Sequence, residues 1–297
     1  MGETSPMIKQ NIIKIGVILL SLMSFKSQVV DAATNKSKTE TINYRTTYQD
    51  KEYKKQATVY VPAKYDNKKK HNIIYLMHGS TESGRDFYQD GNFKKILDKL
   101  NRVDKLKNTI VVFPTYYPNR SFVNSDYYRD RPLNKNFAKK ELTKDLMPAV
   151  EKKYHTYAKT TDNEGFKESR RHRAFGGFSM GSITTWYVFE NNLKYFHDFL
   201  PMAGDSWTIK PDGGAVASKR TASRLAESTD SRSFQILAAV GANDGTSGSM
   251  TPQIEAMWRL PEFNHQNLKY YTQKGGSHSP QSIGKQFEHY AGELFKK

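Results

Sequence analysis

One serine in this chain has the surroundings of a catalytic nucleophile. Residues 177–181 read Gly-Phe-Ser-Met-Gly, a G-x-S-x-G motif centred on Ser179. The motif follows a short apolar run, 173–178, and precedes a helix-like segment, 182–191. In a tight strand-to-helix turn the glycines leave room for the backbone while the serine Oγ projects into a site. The helix that follows directs its positive end at a developing oxyanion. The motif therefore predicts acyl chemistry on a serine.

Partners for such a serine follow in the order that this chemistry requires. Asp244 comes just after the strand-like run 234–240, and His278 comes just after the run 268–273. The order serine, acid, histidine is that of ester hydrolases built on an α/β sheet. His278 is predicted to take the Ser179 proton, and Asp244 to orient and stabilise the imidazolium. Asp205, which follows the run 199–203, is a rival for the acid position.

Donors for an oxyanion are predicted at the end of another strand. His78-Gly79 closes the apolar run 72–77, and Gly79 permits a turn there. The backbone N–H of Ser80 can then join that of Met180, the residue after the nucleophile. We therefore predict an oxyanion hole formed by Gly79, Ser80 and Met180.

The elements that must position these residues alternate along the chain. Strand-like runs lie at 57–61, 72–77, 109–114, 173–178, 199–203, 234–240 and 268–273, and helical patterns include 92–101, 140–154, 182–191 and 283–295. Continuous apolar runs are typical of strands that helices cover on both faces. The pattern predicts an α/β fold with a mostly parallel sheet, as one domain over residues 42–297. In such sheets the site lies beyond the carboxyl ends of the strands.

Composition narrows the class of protein. The 297 residues include 16 Phe, 18 Tyr and 3 Trp, which supply the buriable area of a globular domain, and they include no cysteine. Disulfides, thiolate metal sites and a cysteine nucleophile are thereby excluded. The formal net charge is +16. For an exported protein this charge suggests an anionic cell-wall polymer as a possible partner, and we expect no nucleic acid.

The first 32 residues have the pattern of a secretory signal peptide. Lysines precede an apolar run at 15–23, and 30–32 read Val-Asp-Ala, with small residues at the positions before a cleavage site. The run is too short and too interrupted for a lasting membrane anchor. We predict cleavage near Ala32, a short linker over 33–41, and a secreted protein.

Metal and cofactor motifs do not occur. The sequence contains no H-E-x-x-H, no G-x-G-x-x-G and no Walker loop. Serine acyl chemistry needs none of these groups, so we predict no cofactor and no metal site.

Longer runs around these motifs resemble a known family. Residues 171–188 (RHRAFGGFSMGSITTWYV) are similar to bacterial feruloyl esterases associated with xylanases, in the esterase D-like group of carbohydrate esterases. So are the runs 75–79 (YLMHG), 111–115 (VVFPT), 201–207 (PMAGDSW) and 252–257 (PQIEAM). The resemblance extends over about residues 42–295 and implies the α/β-hydrolase fold.

The resemblance also implies a reaction. Members of that family release hydroxycinnamoyl groups from plant cell-wall polysaccharide, and their nucleophile, acid and base fall on Ser179, Asp244 and His278. Asp205 then becomes a pocket residue beside Trp207, which would form an aromatic wall for the acyl ring. The tyrosine-rich loop from Thr115 to Tyr128 would supply stacking in place of the aromatic residues that this chain lacks after the histidine, with Tyr116 as the candidate.

The chain also departs from that family, which keeps other functions open. Ser279-Pro280 follows the histidine, and residues 245–248 after Asp244 are small and polar. An acetylxylan esterase, or an acyltransferase like the mycolyltransferases, would use the same three residues on another acyl group. A basic cell-surface binding protein that keeps the fold without the activity is a third hypothesis.

Overall fold

The structure is a computed structural model, and it describes residues 1–2 and 36–296. Apart from its first two residues, the predicted signal peptide lies outside the described residues. The first strand begins at Lys38, so the last four residues of the predicted linker belong to the sheet. Residues 36–296 fall within one compact unit.

One eight-stranded sheet organises the domain. Its strands, in chain order β1 to β8, are Lys38–Tyr48, Lys51–Val61, Asn72–Met77, Thr109–Phe113, Arg173–Phe178, Asp198–Met202, Gln235–Gly241 and Leu268–Gln273. Their spatial order is β1-β2-β4-β3-β5-β6-β7-β8. β1 pairs antiparallel with β2, and β2 antiparallel with β4. The remaining pairs, which join β4, β3, β5, β6, β7 and β8 in that order, are all parallel.

Helices cover both faces of this sheet. In chain order α1 to α10, they are Gly84–Asp90, Phe93–Arg102, Arg131–Asn136, Met147–Lys153, Asn163–Glu168, Met180–Asn192, Gly213–Val216, Ser218–Ala226, Ser247–Met257 and Pro280–Tyr290. A π-helical segment, Phe137–Leu146, joins α3 to α4. Every residue of β4, β5 and β6 is buried, and the apolar core forms two clusters of buried side chains. The prediction of a single-domain α/β-hydrolase fold is confirmed.

The sequence pattern predicts only the last part of the hairpin β1–β2. Only 57–61 was predicted as strand, because residues 38–56 are rich in Lys and Glu and lack an apolar run. The two strands instead alternate buried and exposed positions, which suits a sheet edge with one solvated face. Gln49 and Asp50, both with φ near +50 to +60°, form the two-residue turn that matches strand twist.

Candidate active site

Ser179 lies at a strained turn between β5 and α6. Its backbone has φ 54° and ψ −114°, a conformation that a residue with a side chain rarely adopts. A Cβ at Gly177 would lie 2.5 Å from the backbone of Gly181, and a Cβ at Gly181 would lie 2.2 Å from the carbonyl oxygen of Met77. Both glycines are therefore required by close backbone approach, and the surrounding packing holds the strain.

The loops after β7 and β8 bring the acid and the base together. A Cβ at Gly241 would lie 2.4 Å from the backbone of Gly276, so the two loops abut without side chains between them. The N–H of Asn243 donates to the carbonyl of Gly276 at 2.8 Å. This contact fixes the loop that carries Asp244 against the loop that carries His278.

Ser179, His278 and Asp244 form one hydrogen-bonded chain. The Nε2 of His278 lies 3.0 Å from Ser179 Oγ, and its Nδ1 lies 3.0 Å from each carboxylate oxygen of Asp244. The Asp244 side chain is buried, whereas that of His278 is 38% exposed. The carboxylate thus makes Nδ1 the protonated nitrogen and leaves Nε2 free to accept the serine proton.

Asp244 is held in its ionised form. Burial raises the pKa of Asp244, but hydrogen bonds from His278 and Thr246 outweigh burial, and the net pKa is lowered. Thr246 donates both its N–H (2.9 Å) and its hydroxyl (2.7 Å) to Asp244 Oδ1. The charge needed opposite an imidazolium is therefore present across the neutral pH range.

The rival acid, Asp205, faces elsewhere. Its Oδ2 accepts the N–H of Gly214 at 2.6 Å, and its Oδ1 accepts the indole N–H of Trp207 at 3.3 Å. Burial raises the pKa of Asp205 to about 6. The structure therefore places Asp205 beside Trp207 in the cavity wall, and it places Asp244 at the histidine.

The predicted oxyanion donors are not equivalent. The N–H of Gly79 already donates to Glu82 Oε2 at 2.9 Å, so Gly79 is not a free donor, contrary to the sequence-based prediction. Met180 is the first residue of α6, where a helix N–H has no partner within the helix. Ser80 and Met180 both line one cavity with Ser179. Within residues 36–296, neither of their N–H groups has a protein acceptor.

That cavity has a volume of about 460 Å³ and an aromatic side. Trp207 and Tyr127 line it, and the ring of Tyr128 stacks on Trp207 with centroids 5.4 Å apart. Tyr127 stacks on Tyr128 at 4.5 Å, and the Tyr128 hydroxyl donates to Asp212 at 2.8 Å. Two small polar residues, Thr246 and Ser249, also line the cavity.

Tyr116, predicted to contact substrate, does not line this cavity. Its side chain is buried, with a relative exposure of 1%, and its ring packs on His78 at 4.8 Å. Its hydroxyl donates to Asp130 at 2.9 Å. The prediction of Tyr116 as a substrate-binding residue is therefore wrong, and the tyrosine of this loop that lines the cavity is Tyr127.

Glu82 is a cavity residue that the sequence did not single out. It lies in the wall beside Ser80 and His278, and burial raises its pKa to about 7. Its position three residues after Gly79 is the one signal that the sequence offered, since a carboxylate there can reach back to the turn.

Residues 1–2 and 36–296 contain neither a metal-binding cluster nor a membrane-spanning helix. In that part of the chain no group of three or more His, Asp or Glu side chains is placed to hold a metal ion. No helix among the same residues has the length and apolarity needed to cross a bilayer.

Known proteins share both the sequence and the fold. The family model "Putative esterase" matches residues 50–297. Endo-1,4-beta-xylanase Y of Acetivibrio thermocellus is 37% identical over 215 residues, which is 71% of this chain and 18% of that protein. The chain thus spans about a fifth of the length of that relative.

Solved structures extend the comparison. A mutant of the feruloyl esterase module from Clostridium thermocellum, complexed with sinapinate, is 32% identical with a TM-score of 0.74, covering 86% of this chain and 88% of that one. A ferulic acid esterase from the fungus Anaeromyces mucronatus is 20% identical, with a TM-score of 0.65 over 89% of this chain and 95% of that chain, and shares the fold.

The family match covers most of the chain, and the serine, histidine and carboxylate meet at a cavity in the geometry that ester hydrolysis requires. The protein therefore belongs to the esterase family.

Proposed function

We propose that this protein hydrolyses esters of hydroxycinnamic acids through an acyl-enzyme on Ser179. The observation that carries the proposal is the hydrogen-bonded chain from Ser179 through His278 to Asp244, which opens into a cavity with an aromatic side. These three residues cleave the ester, and the aromatic side of the cavity favours an aromatic acyl group.

Ser179, His278 and Asp244 each have one task in the reaction. Ser179 Oγ attacks the ester carbonyl while His278 Nε2 takes its proton, and Asp244 stabilises the imidazolium that results. The N–H groups of Ser80 and Met180 donate to the oxyanion of the tetrahedral intermediate. When the intermediate collapses, the alcohol leaves with the proton from His278. Water then attacks the acyl-enzyme by the same steps and releases the acid.

The aromatic side of the cavity supports a planar acyl group. Trp207 is held at its edge by Asp205, which accepts the indole N–H, and on one face by the ring of Tyr128. A rigid indole stacks well on a phenolic ring. The related Clostridium thermocellum module is a feruloyl esterase that binds sinapinate, which supports the same class of acyl group here.

Parallel assays on two esters test this proposal. We expect the purified protein to release ferulate from methyl ferulate and nitrophenol from 4-nitrophenyl acetate, and Ser179→Ala to abolish both activities. Ser169→Ala is the matched control, since its buried hydroxyl bonds to the carbonyl of Gly165, away from the cavity. Turnover that survives in Ser179→Ala would reject Ser179 as the nucleophile.

A second candidate function rests on the polar part of the cavity wall. Thr246 and Ser249 face the same space as Trp207, and small polar residues there suit a short acyl group or an alcohol acceptor. If the wild type cleaves the acetyl ester and leaves methyl ferulate intact, an acetylxylan esterase or an acyltransferase becomes the better assignment. Product analysis with added alcohol separates these two.

We also propose that the protein is exported and acts on an ester-bearing polysaccharide. The apolar segment before residue 33 supports export, and the xylanase relative supports the polysaccharide. The net charge of +16 would add salt-sensitive binding to an anionic wall polymer. Mass spectrometry of the protein recovered from culture medium should find a chain that begins near residue 33. A full-length chain retained in the cells would contradict export.

A further inference from the structure

A buried carboxylate lies behind the loop that carries the proposed oxyanion donor Ser80. Asp130 has no exposed surface. Its Oδ2 accepts the hydroxyl protons of Ser80 (2.7 Å), Tyr116 (2.9 Å) and Tyr117 (2.8 Å). Among the residues that the structure describes, none makes a hydrogen bond to its Oδ1. A buried carboxylate with one unpaired oxygen is costly for the fold, so packing alone does not account for Asp130.

The same carboxylate reaches the next residue of the loop through Tyr117. Because the Tyr117 hydroxyl donates to Asp130, its oxygen is free to accept the N–H of Thr81 at 2.9 Å. The guanidinium of Arg120 holds the carbonyl of Thr81 at 2.9 Å. Thr81 has φ 66°, a left-handed conformation that a threonine keeps only where its surroundings impose it.

The residue before Ser80 is fixed from the other side. The N–H of Gly79 donates to Glu82, and its carbonyl lies 2.6 Å from Nδ1 of His78. Burial lowers the pKa of His78 to about 4, so this imidazole is neutral. The N–H groups of Gly79 and Thr81 are therefore both occupied, whereas the N–H of Ser80, a residue that lines the cavity, has no acceptor within residues 36–296.

We propose that Asp130 is a positioning residue that fixes the Ser80 N–H as an oxyanion donor. It acts through two hydroxyls, that of Ser80 itself and that of Tyr117 on Thr81. Asp130 does not touch the substrate. This inference rests on the proposed function, because it assumes that an oxyanion forms at Ser179.

If Asp130 positions the donor, replacing Asp130 should weaken only the stabilisation of the tetrahedral state. Removing an oxyanion donor outright typically lowers kcat by about 10²- to 10³-fold. A donor that remains but is no longer held should cost less, about 10- to 100-fold. The affinity for phenylboronic acid, which forms a tetrahedral adduct on a catalytic serine, should fall by a similar factor.

The experiment compares Asp130→Asn, Ser80→Ala and Tyr117→Phe with the control Ser169→Ala in the full chain. We expect Asp130→Asn to lower kcat/KM on 4-nitrophenyl acetate and the phenylboronic acid affinity together. Ser80→Ala and Tyr117→Phe should each produce part of that loss. Ser169→Ala removes a buried hydroxyl near the amino end of β5, so it should lower the melting temperature without changing the boronate affinity.

Combining variants keeps the test decisive if Asp130→Asn does not fold. The double variant Ser80→Ala/Tyr117→Phe removes both routes and should reproduce the loss. Wild-type kcat/KM and boronate affinity in that double variant, or in folded Asp130→Asn, would overturn the inference. A wild type without esterase turnover would instead reject the proposed function, which separates the two failures.

Discussion

The Nδ1–H of His278 is shared between the two carboxylate oxygens of Asp244, which both lie at 3.0 Å. Asp244→Asn would replace one of these acceptors by an amide donor, and the imidazole would be stabilised in the wrong tautomer. We expect kcat on 4-nitrophenyl acetate to fall about 10⁴-fold, with the fold retained. Steady-state kinetics on the purified variant measures this loss. Asp205→Asn should cost far less, and equal losses would show that both carboxylates serve the histidine.

The exposed tyrosines should control which ester is preferred. Tyr127 and Tyr128 are 44% and 43% exposed, so truncation to alanine should leave the fold intact. Losing the ring that stacks on Trp207 should lower kcat/KM for methyl ferulate about 2- to 10-fold relative to 4-nitrophenyl acetate. Tyr128→Phe keeps the ring and removes only the bond to Asp212, so it is the matched control. An unchanged ratio in Tyr128→Ala would remove this tyrosine from the acyl site.

Asp205 should make stability depend on pH. Burial raises its pKa to about 6 from the ordinary value of 3.8, so the folded protein holds the proton more tightly than the unfolded chain. Its contribution is therefore complete below about pH 4 and is lost as the pH rises through 6. Relative to Asp205→Asn, the wild type should lose about 1–3 kcal/mol of unfolding free energy between pH 4 and pH 7. Urea titrations at several pH values measure this difference, and parallel curves for the two proteins would contradict it.

The turn at Ser179 should tolerate no side chain at Gly181. A Cβ there would lie 2.2 Å from the Met77 carbonyl oxygen, so backbone must move before Gly181→Ala can fold. We expect a loss of at least about 2 kcal/mol in unfolding free energy, together with most of the esterase activity. Gly245→Ala is the control, because a Cβ there meets nothing within 4 Å. Equal stability of the two variants, measured by denaturant unfolding, would show that the turn can relax.

The parts of the site that depend on strand ends could be predicted from the sequence. β3 and β5 begin and end where the apolar runs predicted, because a strand buried on both faces has to be apolar throughout. The bounds of β8 also match the prediction, although most of its residues are half-buried or exposed. Ser179, Asp244 and His278 lie directly after β5, β7 and β8 or in the short loops that follow these strands.

The rest of the site depends on where long loops fold, and the sequence does not encode this in a local pattern. The loop after β4 carries Tyr116, Tyr117, Tyr127 and Tyr128, and nothing in their spacing separates the buried pair from the exposed pair. Asp130 looks like any surface aspartate until three hydroxyls are seen to converge on it. Gly79 differs, because the acceptor of its N–H is local: Glu82 lies only three residues further along the chain.

The aromatic wall and the reacting residues come from different stretches of chain. Tyr127 and Tyr128 belong to the connection between β4 and β5, and Trp207 and Asp212 to the connection between β6 and β7, whereas Ser179, Asp244 and His278 follow β5, β7 and β8. The β6–β7 connection carries neither a residue that makes or breaks bonds nor a partner of the Ser80 loop, whereas the β4–β5 connection also carries Asp130 and Tyr117. The ester preference should therefore be easier to change through the β6–β7 connection than through the β4–β5 connection, where the aromatic wall and the support of the oxyanion donor share one stretch of chain.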